Sequence, residues 1–195
     1  MTGFGWLAAD PSIPRTHIAG IELEPGLPTR WEEYTWVRNQ VARIAGSTTL
    51  DILDAGTGIT PKRHILPEIL ATDGHYIIAV DSDPETLKLL SGPFILRITD
   101  DMTDFKRLRH VSVDIYVTVS VVEHIPFESR ALAWDEAFRI LRPGGTLLVT
   151  ADGLVPQELA NEVAAAGFLV GGQDPFSGQH LTPTVAYLIA KKPSE

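Results

Sequence analysis

Cysteine is absent from the 195 residues of this chain. That absence removes disulfide scaffolding, thiolate nucleophiles and sulfur-rich metal sites together. Histidine does not fill the gap: His75, His110 and His180 are too dispersed to form a ligand cluster, and no metal is expected. Long apolar runs are missing as well; none approaches the ~20 residues that a membrane-crossing helix needs. The opening residues, Met1-Thr2-Gly3-Phe4-Gly5-Trp6, carry neither the basic flank nor the apolar block of a secretory leader. A cytoplasmic protein is expected. Positive charge is scarce: 16 Lys and Arg face 25 Asp and Glu, a net charge of −9. Nonspecific binding to nucleic acid gains its affinity by neutralising phosphates, so that function class is disfavoured. The basic stretches Lys62-Arg63-His64 and Lys106 to His110 read as solvated helix faces. No repeat or low-complexity segment occurs, and the length fits one domain with room for a core.

What is present centres on Leu50-Asp51-Ile52-Leu53-Asp54-Ala55-Gly56-Thr57-Gly58-Ile59-Thr60. An apolar strand runs into an acid, then into two glycines one apart, then into a helix start. This is the layout of a nucleotide-type cofactor site at the carboxyl end of the first strand of an open α/β sheet. Glycine there permits unusual backbone angles and lets a ligand approach without meeting a Cβ. A second marker, Tyr76-Ile77-Ile78-Ala79-Val80-Asp81, is a short buried-type strand ending in a carboxylate, one crossover helix further on. An acid at that place accepts hydrogen bonds from ribose hydroxyls, whereas Asp83 reads as the cap of a helix starting at Pro84. A dinucleotide fingerprint requires a third glycine, and Pro61 occupies its position, which argues against a pyrophosphate site.

The pattern Asp54-x-Gly56-x-Gly58-x-Thr60 instead resembles the first motif of class I S-adenosylmethionine-dependent methyltransferases of the small type 11-like kind. That family usually has glycine at the Thr60 position. Asp101-Met102-Thr103-Asp104-Phe105, after the apolar stretch 94–98, resembles the family's adenine-side motif. Asp114 to Pro126 looks like its fourth strand and following loop. Glu136 to Val149 looks like its helix, Leu-x-Pro-Gly-Gly turn and fifth strand.

The resemblance covers roughly residues 48–152 and implies a doubly wound α/β fold. Its seven-stranded, mostly parallel, Rossmann-like sheet has helices on both faces and its last strand antiparallel. It implies S-adenosylmethionine as cofactor. Gly56, Thr57 and Gly58 would lie against the methionine part, with Asp54 organising their loop or reaching the amino group. Asp81 and Ser82 would hold the ribose, Asp101 and Met102 the adenine, and Ser120 to His124 would border the methyl group.

Alternating segments agree with that architecture: strands near 49–55, 75–81, 94–98, 114–120 and 146–151, with helices between several of them. Residues 1–45 are expected to form an arm and a lid helix, 48–152 the cofactor-binding core, and 153–195 a helix with a final strand pair. Tyr34, Val37, Val41 and Ile44 make one helical stripe, which fits a lid beside the cofactor mouth or a helix packed on the sheet equally well. Pro67 falls inside the helix expected after Thr60, so a kink, or two short helical pieces, is expected between Thr60 and Thr72. Ala131, Trp134, Phe138 and Leu141 are expected to share a core face. Residues 156–166 are read as a helix, with strands over 167–171 and 185–190.

The implied reaction is direct, in-line methyl transfer without a metal, in which the protein chiefly fixes geometry and excludes water. His124 is the catalytic candidate, as an imidazole able to take a proton from the acceptor. A loop-ordering role is favoured for it, and for Glu123. The Asn/Asp-Pro-Pro-Tyr/Phe signature of enzymes methylating base nitrogens is missing, with Ser120-Val121-Val122-Glu123 in its place. The short arm and the 172–184 loop suit a small-molecule or sugar-like acceptor, and a peptide also fits. Two other readings stand beside this one: a cofactor-binding partner or regulatory protein without turnover, and an NAD-binding oxidoreductase, which Pro61 opposes.

Overall fold

The protein was analysed as a computed structural model, and residues 17–23, 29–58, 64–170 and 185–195 are described. Two short antiparallel strands, β1 (His17–Ile18) and β2 (Ile21–Glu22), precede helix α1 (Arg30–Ala45). The rest alternates: β3 (Asp51–Ala55), α2 (Leu66–Thr72), β4 (Tyr76–Asp81), α3 (Pro84–Lys88), β5 (Ile95–Thr99) and β6 (Val113–Val119). Then come α4 (Phe127–Ile140), β7 (Leu141–Asp152), α5 (Pro156–Ala165), β8 (Leu169–Val170) and β9 (Val185–Lys191). Seven strands form one sheet in the order β5-β4-β3-β6-β7-β9-β8. Strands β5 to β7 pair in parallel, whereas β9 runs antiparallel to both β7 and β8.

Strand alternation divides the core in two. Ile52, Ile77, Ala79, Ile115 and Val117 face α1, α2 and α3. Leu53, Val80, Tyr116, Leu147 and Val149 face α4 and α5. With both faces covered, the central strands are apolar throughout rather than alternating, as parallel sheets require. Between β3 and β6 the chain order reverses direction across the sheet. In open α/β sheets that switch point leaves a crevice at the carboxyl ends of the strands. No helix among the described residues is long and apolar enough to cross a membrane.

Several sequence expectations need correction. Pro67 causes no kink: α2 starts at Leu66, so the proline sits in the first turn, where its missing N–H would have had no helical partner. The expected helix start at Thr60, like Pro61, Lys62 and Arg63, lies outside the described residues. In α4 the buried face is Ala133, Trp134, Ala137 and Ile140, and Ala131 is exposed. Trp134 anchors that face, and Phe138 is only partly buried, stacked edge-on against Phe168.

The Leu-x-Pro-Gly-Gly segment is part of β7 rather than a separate turn. Leu141 pairs with Val113 and Thr146 with Ile115, so the intervening residues of β7 bulge outward. Gly145 is needed there, because a Cβ would stand 2.8 Å from the Arg142 carbonyl oxygen. Helix α1 packs on the sheet through Trp36, Val37 and Val41, all buried. Of the strand expected over 167–171, Leu169–Val170 form β8 among the described residues; Gly171 and the 172–184 loop are outside them.

Candidate functional site

The carboxyl ends of β3, β4, β5 and β6 converge on one cleft. After β3, Gly56 takes φ +74°, and its N–H and that of Thr57 donate to the Val80 carbonyl at 2.9 and 3.1 Å. A Cβ on Gly56 would stand 2.5 Å from Val121 Cγ2, so glycine allows the loops after β3 and β6 to close together. Beneath the loop, Asp54 is buried and accepts a hydrogen bond from the Thr57 hydroxyl. Burial pushes the Asp54 carboxyl up to about 7, against the Thr57 hydrogen bond and with the charge of Asp81.

Asp81, at the end of β4, holds two turns at once. One carboxylate oxygen accepts from Gly58 N at 3.1 Å and the other from Asp83 N at 2.9 Å. Burial raises its pKa, and these backbone N–H groups oppose the rise. Asp83 caps α3 by accepting from Glu85 N at 2.9 Å, the capping role its sequence position predicts.

After β5 the chain turns through Asp100 to Thr103. Asp100 accepts from Lys106 N and Arg107 N at 3.0 Å each, closing the loop. Asp101 accepts from Thr103 N at 2.8 Å and Met102 is buried. From α4, Glu136 accepts from Phe105 N at 3.0 Å, while Arg139 donates to the Leu108 carbonyl at 3.2 Å.

After β6, Ser120 adopts φ +49°, and its N–H donates to the Thr150 carbonyl at 2.9 Å. A 3-10 turn follows over Val122–His124. Glu123 accepts from Asp152 N at 3.0 Å, and burial raises its pKa. His124 is exposed, and its imidazole makes no hydrogen bond to a described residue. Glu123 thus ties the turn after β6 to the end of β7.

The cleft has a volume of about 420 Å³, within the usual size range of cofactor sites. Of the residues singled out from sequence, Gly56, Gly58, Asp81, Ser82, Asp101, Met102, Ser120 and His124 line it. Asp54 and Thr57 do not; they brace the loop from below. Sequence reasoning did not single out His64, Val80, Asp100, Ile125, Pro126 and Ser129 as lining residues. Val80, Asp100, Ile125 and Pro126 were within reach, since they flank Asp81, Asp101 and His124 in the chain. His64 and Ser129 reach the cleft through tertiary packing. Three lining residues are carboxylates, and no lysine or arginine lines the cleft among the described residues. Among the described residues such a lining favours a cation and includes no lysine or arginine that would meet a pyrophosphate.

Comparison with known proteins agrees with the fold. A family model described as "Methyltransferase domain" matches residues 53–149. No curated protein matches the chain. Among solved structures, the Burkholderia thailandensis 1,6-didemethyltoxoflavin-N1-methyltransferase, with S-adenosylhomocysteine and 1,6-didemethyltoxoflavin bound, is similar at TM-score 0.65 and 16% identity. The match covers 83% of this chain and 78% of that one. The Bradyrhizobium japonicum N-methyltransferase NodS, with S-adenosylhomocysteine, is similar at TM-score 0.60 and 16% identity, covering 82% and 88%. A putative methyltransferase in complex with the Haloferax volcanii Trm112 activator is similar at TM-score 0.65 and 16% identity, covering 85% and 92%.

Proposed function

The chain belongs to the class I S-adenosylmethionine-dependent methyltransferases, and from that premise we propose that it methylates a small-molecule acceptor at the cleft above β3 and β6. The observation that carries this reading is the electronegative lining: Asp81, Asp100 and Asp101 with no described lysine or arginine. It suits a cofactor bearing a sulfonium and an ammonium. The close approach at Gly56 and the cleft volume fit the same group.

In this reading Asp81 orients the ribose with Ser82 beside it, Asp101 and Met102 hold the adenine, and Gly56 to Gly58 bring bare backbone to the methionine part. Asp54 and Thr57 keep that loop in shape. When bound, S-adenosylmethionine would supply an electrophilic methyl group on sulfur for direct transfer to the acceptor. The protein's share is to align the two and exclude water. His124, exposed at the rim and with its imidazole not hydrogen-bonded to described residues, takes the acceptor's proton. Val121, Ile125 and Pro126 make the neighbouring rim apolar, which suits a small ring-bearing acceptor better than a highly charged one. The Burkholderia and Bradyrhizobium proteins are both N-methyltransferases, and the former has 1,6-didemethyltoxoflavin bound. A small acceptor is therefore the first class to test.

The test is incubation with labelled S-adenosylmethionine and pooled small amines, hydroxy compounds and sugars, followed by mass detection of methylated product. Product from a small acceptor supports the reading. Methylation of peptide pools alone would contradict it. Cofactor binding with no product in any pool would favour the alternative of a binding partner without turnover.

A further inference from the structure

Glu33 lies in the first turn of α1, outside the cleft, and the chemistry above does not use it. It is fully buried. One carboxylate oxygen accepts from the Ser120 hydroxyl at 2.6 Å and from the Thr150 hydroxyl at 2.6 Å; the other pairs with the buried Arg30 guanidinium. The start of α1, the residue after β6 and the end of β7 thus meet on one side chain. A buried ion pair is a costly way to hold three segments together, because desolvation offsets much of its attraction. Apolar contacts could do the same. The polar solution therefore calls for a role that apolar packing cannot supply.

That role lies in the direction of one proton. A serine hydroxyl has a single hydrogen and two lone pairs. Ser120 gives its hydrogen to Glu33, and its backbone N–H is committed to Thr150 O. Ser120 lines the cleft, and whatever capacity its Oγ retains for a ligand there is as an acceptor alone. The left-handed backbone at Ser120, φ +49°, is rare for serine and is held by these same partners.

The position of Ser120 along the cleft follows from strand order. Asp101 follows β5, Asp81 ends β4, the glycine loop follows β3, and Ser120 follows β6. With adenine at Asp101 and ribose at Asp81, as in the proposed binding mode on which this inference rests, Ser120 falls at the amino-acid end of the cofactor. An ammonium there is a donor only.

We propose that Glu33 is a positioning residue: by taking the Ser120 proton it fixes Ser120 Oγ as an acceptor for the ammonium of the cofactor's amino-acid portion.

The experiment is calorimetric titration of the full chain and of Glu33→Gln, Ser120→Ala and the double variant. Two probes are used: S-adenosylhomocysteine, and 5′-methylthioadenosine, which lacks the amino-acid portion. Glu33→Gln and Ser120→Ala should each weaken S-adenosylhomocysteine about tenfold, the scale of one hydrogen bond to a charged group. Both should leave 5′-methylthioadenosine within about twofold, and the double variant should lose no more than either single one. Equal losses for both probes would reduce Glu33 to a structural support and overturn the proposal, as would unchanged affinity for both. If Glu33→Gln does not fold, the Ser120→Ala pair of titrations decides by the same criterion. Failure of the unaltered chain to bind either probe would instead overturn the proposed function itself.

Discussion

Residue-level chemistry gives three measurable consequences. The Asp54 carboxyl titrates near 7 in the folded protein and near about 4 in an unfolded chain. Between those values the native state holds a proton that the unfolded state has released, so stability falls as pH rises from about 4 to about 7 and levels off above. Asp54→Asn should flatten that limb in denaturant titrations run across this range. An unchanged slope would remove Asp54 as its source. Asp81→Ala should weaken S-adenosylmethionine binding by about 1.5–3 kcal/mol, the range for hydrogen bonds to a charged partner. Calorimetry on the folded variant checks it, and unchanged affinity would take Asp81 out of the site. His124→Ala should lower turnover by about 10²–10⁴-fold with cofactor affinity unchanged. A loss of binding with turnover at saturating substrate intact would return His124 to a structural role.

These residues differ in how readable they were. Asp81 and the two glycines announce themselves, because a strand end followed by an acid or a Gly-x-Gly turn is a local pattern. Glu33 does not. An acid in the first turn of a helix looks like an ordinary partner of the helix dipole. Its contacts are with Ser120 and Thr150, 87 and 117 residues away in sequence.

At the scale of elements, the segment between β5 and β6 carries Asp100 to Thr103 into the cleft, and α4 holds it there. Glu136 accepts from Phe105 N, and Arg139 pairs with Glu136 while donating to the Leu108 carbonyl. Glu136→Ala should therefore loosen residues 100–108. Amide exchange in that stretch should speed up, and cofactor affinity should fall several-fold through the adenine side alone. Exchange that rises instead across α4 as a whole would show that Glu136 holds the helix and not the loop. Strand positions were legible because short apolar runs between turn signals leave little choice of register. Element ends were not. Pro67 proved to mark a helix start, the buried face of α4 turned away from Ala131, and the Pro143-Gly144-Gly145 stretch became a bulge inside β7. Each depends on packing against a partner strand or helix that a local pattern does not contain.

At the scale of the whole molecule, the order β5-β4-β3-β6-β7-β9-β8 gathers four separate sequence motifs at the carboxyl ends of neighbouring strands. The motifs lie as much as 70 residues apart, from Asp54 to His124, yet eight of the ten residues singled out from sequence line a single cleft. Their convergence was implied by the family resemblance, while the electronegative lining emerged only once Asp100 stood beside Asp81 and Asp101. That lining is the basis of the central claim, that this cleft receives S-adenosylmethionine and not a dinucleotide. Titration calorimetry of the purified chain with S-adenosylmethionine, S-adenosylhomocysteine and NAD tests it most directly. The account predicts one S-adenosylmethionine per chain, displaced by S-adenosylhomocysteine, with no heat from NAD; saturable NAD binding that excludes S-adenosylmethionine would contradict it.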